Sequence, residues 1–157
     1  MIYLSRRVTF SLGHRLHNPV LSDEQNRKLY GKCNNPNGHG HQYTLEATFC
    51  GPIDPSTGFS VNLPDVDRIL SEQIVARFDH LDFDRDFPEF AHVISSGENL
   101  TRLFWDLLAP HVPTGSRLAR VRLEETEKNS FEHFGEAPFH PEAPDRPLEP
   151  TKEEPHP

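Results

Sequence analysis

Gly31-Lys32-Cys33-Asn34-Asn35-Pro36-Asn37-Gly38-His39-Gly40-His41 is the stretch that decides how this chain reads. Two histidines stand two residues apart, with a cysteine just upstream. In a strand, residues i and i+2 point to one face, so His39 and His41 can reach one metal ion. His14 lies in a second apolar-alternating segment, and strand pairing would bring it in as a third ligand. Three neutral imidazoles leave a fourth position open, which is a catalytic zinc arrangement and not a closed structural one. Asn34, Asn35, Pro36, Asn37 and Gly38 surround Cys33 with groups too polar for an apolar core. A thiol in a polar loop beside a cation reads as reactive.

Working outward, residues 2–16 alternate, with Val8, Phe10, Leu12 and His14 on one face, and predict a strand. Residues 17–37 lack periodicity and predict a long ordered loop or a short helix. Residues 39–49 predict a second strand that carries His39, His41, Tyr43, Leu45, Ala47 and Phe49 on one face. Pro64 opens a helix with an apolar stripe of Val66, Ile69, Leu70, Ile74 and Phe78. Residues 79–93 read as irregular. Ser95-Ser96-Gly97-Glu98 reads as a capping box, with Glu98 as the partner of Ser95, and opens a second helix. A strand over 117–125 places Ala119, Val121, Leu123 and Glu125 inward, and a short strand near 130–134 completes a hairpin. Two strands, two helices and two strands make an α+β domain over residues 1–136, a four-stranded antiparallel sheet with two helices on one face.

Composition narrows the function classes. The net charge is -8, with no basic run, which argues against nucleic acid and anionic membrane as partners. No stretch approaches the ~18 apolar residues of a membrane span, and no apolar signal region opens the chain. Two cysteines, Cys33 and Cys50, make no disulfide framework, so a cytoplasmic setting is expected. Cys50 ends a strand pattern and faces away from the histidines, which reads as inert. From residue 137 to 157 the composition shifts. Seven of these 21 residues are proline, five of them at every third position, which predicts a polyproline or disordered tail.

Two further positions carry chemistry. Asp79-His80 sets a carboxylate beside an imidazole, which can orient it and raise its basicity. Glu125 is an acid on an apolar face. Either the strand has left the core there, or the carboxylate anchors a planar N–H donor ligand.

At this point the chain resembles the 6-pyruvoyl-tetrahydropterin synthase family over about residues 6–136. The resemblance is carried by Phe10-Ser11 with His14-Arg15-Leu16, Leu21-Ser22-Asp23-Glu24, Gly31 through Tyr43, Asp54-Pro55 with Thr57-Gly58, Val61-Asn62-Leu63, Phe78-Asp79-His80-Leu81-Asp82, Glu98-Asn99 and Glu125-Thr126. It implies a tunnelling fold whose trimers close a twelve-stranded barrel, with two trimers stacked as a hexamer and active sites between subunits. It implies elimination of triphosphate from 7,8-dihydroneopterin triphosphate. The implied zinc ligands are His14, His39 and His41, with Cys33 as base and Asp79 orienting His80. Glu125, Glu98 and Thr126 are the implied pterin contacts, and Arg15 and Lys32 are candidates for the triphosphate. Four positions depart from the family pattern: Ser96 and Gly97 stand where two threonines are usual, Gly13 replaces a residue with a Cβ, and His133 replaces a tyrosine. Two rivals stay open. One is a 6-carboxy-tetrahydropterin synthase of the deazapurine pathway. That group spaces its cysteine and HGH motif by three residues, where Asn34 to Gly38 make five here. The other is a non-catalytic, zinc-stabilised oligomer that binds a pterin or a protein.

Overall fold

Alternation of apolar and polar residues produces the two longest strands, β1 (Ile2–His14) and β2 (His39–Gly51). They pair antiparallel along their full length, from Ile2 opposite Gly51 to His14 opposite His39. The structure, a computed structural model, describes residues 1–135, so the proline-rich tail lies outside the described residues. β2 also pairs with β4 (Arg117–Thr126), which turns back into β5 (Asn129–His133).

A fifth strand corrects the expected all-antiparallel sheet. β3 (Leu81–Asp82) runs parallel to β1 at Leu12 and Gly13, so the order is β3-β1-β2-β4-β5 and the sheet is mixed. Two residues are too few to leave a periodic signal. The strand is set by its partner: the His80 N–H donates to the Ser11 carbonyl at 2.7 Å just before the pairing begins. The absent Cβ of Gly13 has a reason here, since one would stand 3.1 Å from Asp82 Oδ2.

The loop after β1 is built. Ser22 and Gln25 form a reciprocal capping box that starts α1 (Asp23–Tyr30). Asn26, fully buried, donates to the carbonyls of Asn18, Leu21 and Ser22 and accepts the Asn18 N–H. α2 (Leu63–Leu70) continues through a π-turn, Ser71–Val75, into α3 (Ala76–Phe78) and buries Val66, Ile69, Leu70, Ile74 and Phe78 as its stripe predicts. The stretch read as irregular holds β3, α4 (Phe83–Asp86) and a 3-10 turn, Pro88–Phe90. α5 (Gly97–Leu108) packs on β4 and β5. Its cap is Ser96, which accepts from the Asn99 N–H; Ser95 is buried and Glu98 exposed, so the expected Ser95–Glu98 capping box does not form.

Helices cover one sheet face, where Phe10, Leu12, Tyr43, Leu45, Phe49, Val121 and Leu123 are buried. On β4 the inward residue is Leu118 and not Ala119, because a bulge opposite Thr48 and Phe49 inserts Ala119 as an extra residue. The other face carries Arg7, Glu46, Arg120, Arg122 and Glu132 in an ion-pair ladder. Burial works to raise the Glu46 carboxyl, but Arg7 and Arg120 outweigh it and hold the group below its ordinary range.

The small residue at 97 is explained by packing: an added Cβ would overlap the Phe131 ring of β5. Gly97→Ala is therefore expected to destabilise the fold by about 1–3 kcal/mol, against the usual gain from alanine in a helix. Thermal melting of Gly97→Ala beside Gly97→Ala with Phe131→Leu checks this. Recovery in the double variant is expected, and a single variant as stable as the parent would rule the clash out.

Candidate metal centre and active site

The β1–β2 register sets His14 opposite His39 and Leu12 opposite His41, so three imidazoles meet at one end of the sheet. One ring nitrogen from each lies within 4.8 Å of the others, and the Nε2 atoms of His14 and His39 are 3.0 Å apart. Nitrogens sharing a tetrahedral zinc at about 2.0–2.1 Å would stand ~3.3 Å apart, so the donor set fits such an ion. His14 is buried, and its Nδ1 lies 2.7 Å from the Ser95 carbonyl. That bond assigns the proton to Nδ1 and leaves Nε2 its lone pair. His39 Nδ1 is buried without a hydrogen-bond partner among the described residues, so the outward nitrogen is what this ring offers. Burial lowers the pKa of His39, with the nearby His14 and His41 adding to it. Burial also lowers His41, against the opposing pull of Glu125. Neutral imidazoles are what a metal needs.

The register also brings in Glu125, which stands at an irregularity in the β4–β5 pairing. Its Oε1 lies 3.7 Å from the Nε2 of both His14 and His41 and accepts a hydrogen bond from the Tyr43 hydroxyl at 3.3 Å. Of the two readings of this acid, the strand has therefore not left the core: the Glu125 side chain is only 14% exposed. Tyr43 is fully buried, and burial, with the adjacent Glu125 carboxylate, raises its phenol well above the ordinary range.

Cys33 sits in a 3-10 turn, Gly31–Asn34, that is tied to the end of β1. Its carbonyl accepts the Leu16 N–H at 2.9 Å, while Asn34 Nδ2 donates to the Leu16 carbonyl at 2.7 Å. Gly38 closes this loop onto β2 at a positive φ of 70°, where a Cβ would stand 3.1 Å from the His14 carbonyl oxygen. Cys50 is buried and lies at the far end of β2, opposite Tyr3.

Asp79 and His80 form the expected pair, 2.9 Å between Oδ2 and Nδ1, and Asp79 Oδ1 also accepts the Ser11 N–H at 2.7 Å. The Ser11 N–H, with His80, holds the Asp79 carboxyl below its ordinary pKa. His80 adopts a φ of 62°, a conformation that β3 pairing maintains, and its side chain is 80% exposed. No hydrogen bond joins this dyad to Cys33 among the described residues; it borders a shallow depression with Ser11, Leu12, Gly40 and His41.

The sequence profile of the family described as 6-pyruvoyl tetrahydropterin synthase matches residues 3–136. The chain is 47% identical over 133 residues to the human 6-pyruvoyl tetrahydrobiopterin synthase, covering 85% of this chain and 91% of that protein. The Drosophila melanogaster protein of the same name is 42% identical over 137 residues, 87% of this chain and 82% of that one. The solved structure of Caenorhabditis elegans 6-pyruvoyl tetrahydropterin synthase superposes with a TM-score of 0.81 at 35% identity, covering 85% of this chain and 95% of that one.

The chain belongs to the 6-pyruvoyl tetrahydropterin synthase family. It is an enzyme of pterin biosynthesis. Within that family's fold, the structure brings together His14, His39, His41 and Glu125, and places Cys33 on the adjoining turn. Glu98 is exposed at the start of α5. Thr126 is exposed, and its hydroxyl accepts the N–H groups of Lys128 and Asn129 to cap the β4–β5 turn. Arg15 donates to the Asn34 carbonyl at 3.2 Å, and Lys32 is exposed. His133 packs edge-on against Trp105.

Two residues behind the site, Asp84 and Ser95, have roles that were not read from the sequence. Asp84 accepts the Arg15 N–H at 2.6 Å and the Ser95 hydroxyl at 3.1 Å, and Ser95 in turn supplies the carbonyl that holds His14. Partners behind a metal ligand commonly set affinity by 10–100-fold. Asp84→Asn, which turns an acceptor toward two donors into an amide, is expected to lower metal retention about tenfold in a chelator competition. Retention equal to the parent would remove Asp84 from the support of His14.

Proposed function

We propose that the chain converts 7,8-dihydroneopterin triphosphate to 6-pyruvoyl-tetrahydropterin with loss of triphosphate, at a zinc site on His14, His39 and His41. The observation that carries this reading is the convergence of three imidazoles beside the largely buried Glu125 carboxylate. When bound, zinc would supply Lewis acidity toward the substrate's side-chain hydroxyls and so acidify the adjacent C–H bonds. The protein's own groups do the rest. Glu125 accepts the amino and N–H edge of the pterin ring, a planar pair of donors that suits a carboxylate. Cys33, as thiolate, takes the side-chain proton. Asp79 orients His80, which exchanges protons as the second acid–base group. The redox change is internal to the substrate, so no external reductant is needed.

The assembly follows the family resemblance: active sites between subunits would bring the solvent-turned His80 and a neighbouring chain's Cys33 to one substrate. Trimers closing a twelve-stranded barrel, paired as a hexamer, meet this need and also cover sheet edges. Among the described residues no helix is long and apolar enough to cross a membrane. The free thiols Cys33 and Cys50 suit the cytoplasm.

The test is turnover of dihydroneopterin triphosphate by the zinc-loaded protein without reductant, with product analysis. Triphosphate and the pyruvoyl product are expected. Cys33→Ala is expected to keep its zinc and lose turnover by about a hundredfold or more. A carboxy product with acetaldehyde would favour the deazapurine-pathway reaction, and no turnover by a zinc-loaded hexamer would favour a binding role.

A further inference from the structure

We propose that the Tyr43 hydroxyl is a positioning group for Glu125, holding the carboxylate toward substrate and off the metal so that the fourth coordination position stays open. This rests on the reading of the three histidines as a metal site. Tyr43 occupies the next inward position of β2 after His41 and pairs with Phe10 of β1. Its ring stacks on Phe10 at 5.7 Å and meets the rings of His41 and His14 edge-on at 5.6 and 6.3 Å. With no exposure and neighbours on these sides, the ring gives its hydroxyl one place, at Glu125 Oε1.

The same oxygen lies 3.7 Å from two of the nitrogens that would hold the metal. A small rotation of the Glu125 side chain would bring it among them. Carboxylate oxygen is a good zinc ligand, and a fourth protein ligand converts an open site into a closed one. Glu125 would then be lost twice, as the anchor of the pterin edge and as the group that leaves room for substrate hydroxyls. A donor fixed to Oε1 from the protein side opposes that rotation, because turning toward the imidazoles would strand a buried hydroxyl. Nothing else among the described side chains donates a hydrogen bond to this carboxylate.

Tyr43→Phe tests this, since it keeps the ring and its packing and deletes the tether. Full-length protein loaded with cobalt in place of zinc reports coordination through its visible absorption. The parent is expected to show an open site. Tyr43→Phe should show shifted bands as the carboxylate joins, and Tyr43→Phe with Glu125→Gln should return to the parent spectrum. In parallel, Tyr43→Phe should raise KM for dihydroneopterin triphosphate about tenfold, a 1.4 kcal/mol effect, while melting and metal content stay at parental values. A parental spectrum with parental KM overturns the proposal. So does a shifted spectrum that persists without the Glu125 carboxylate. A parent that takes up no cobalt overturns the metal reading and this inference together, and parental metal content alone identifies that case.

Discussion

Everything at the site depends on the register of β1 against β2. The antiparallel pairing that puts Phe10 opposite Tyr43 in the core also puts His14 opposite His39 at the rim. A slip of one residue would turn every side chain of one strand to the other face, burying Arg7, Thr9 and Ser11 and scattering the imidazoles. The core therefore enforces the histidine cluster. Phe10, Leu12, Tyr43 and Leu45 fix the register through burial, and the histidines inherit it. Tyr43 belongs to both sets, packed as a core aromatic and hydrogen-bonded as part of the site.

Around that pair of strands, polar side chains hold the loops that deliver the remaining groups. Asn26 closes the turn into α1, Asn34 clamps the Cys33 turn onto Leu16, and Asp84 with Ser95 braces His14 from behind. Each is a small amide, hydroxyl or carboxylate that satisfies backbone groups which would otherwise be left unpaired near the interior. His14 and the Cys33 turn are thus each held by hydrogen bonds within the chain. His80 is the contrast, since its backbone is constrained by β3 while its side chain faces solvent.

Where the signal was periodic, it was legible in the sequence. Alternation gave β1 and β2, the spacing of Val66, Ile69, Leu70, Ile74 and Phe78 gave the covering helix, and an acid at an inward position marked Glu125. The readings failed where geometry came from distant partners. β3 is a strand because Ser11 and Leu12 lie alongside it, and its two residues carry no pattern of their own. A bulge opposite Thr48 and Phe49 shifts the inward position of β4 to Leu118, which residues 117–125 alone do not encode. Ser95 read as a helix cap because serine before glycine and glutamate fits one. In the fold, Ser96 takes the cap and Ser95 turns to Asp84 and His14. Asp84 acts across 69 residues, on the backbone of Arg15, a range at which no local spacing rule operates.

On the proposed function, three imidazoles and no thiol hold the metal, leaving Cys33 free to react. X-ray absorption at the zinc edge of the purified protein tests it most directly. Three imidazole nitrogens at about 2.0–2.1 Å, a light fourth ligand and no sulfur are expected. A sulfur scatterer at about 2.3 Å would place Cys33 on the metal and contradict it.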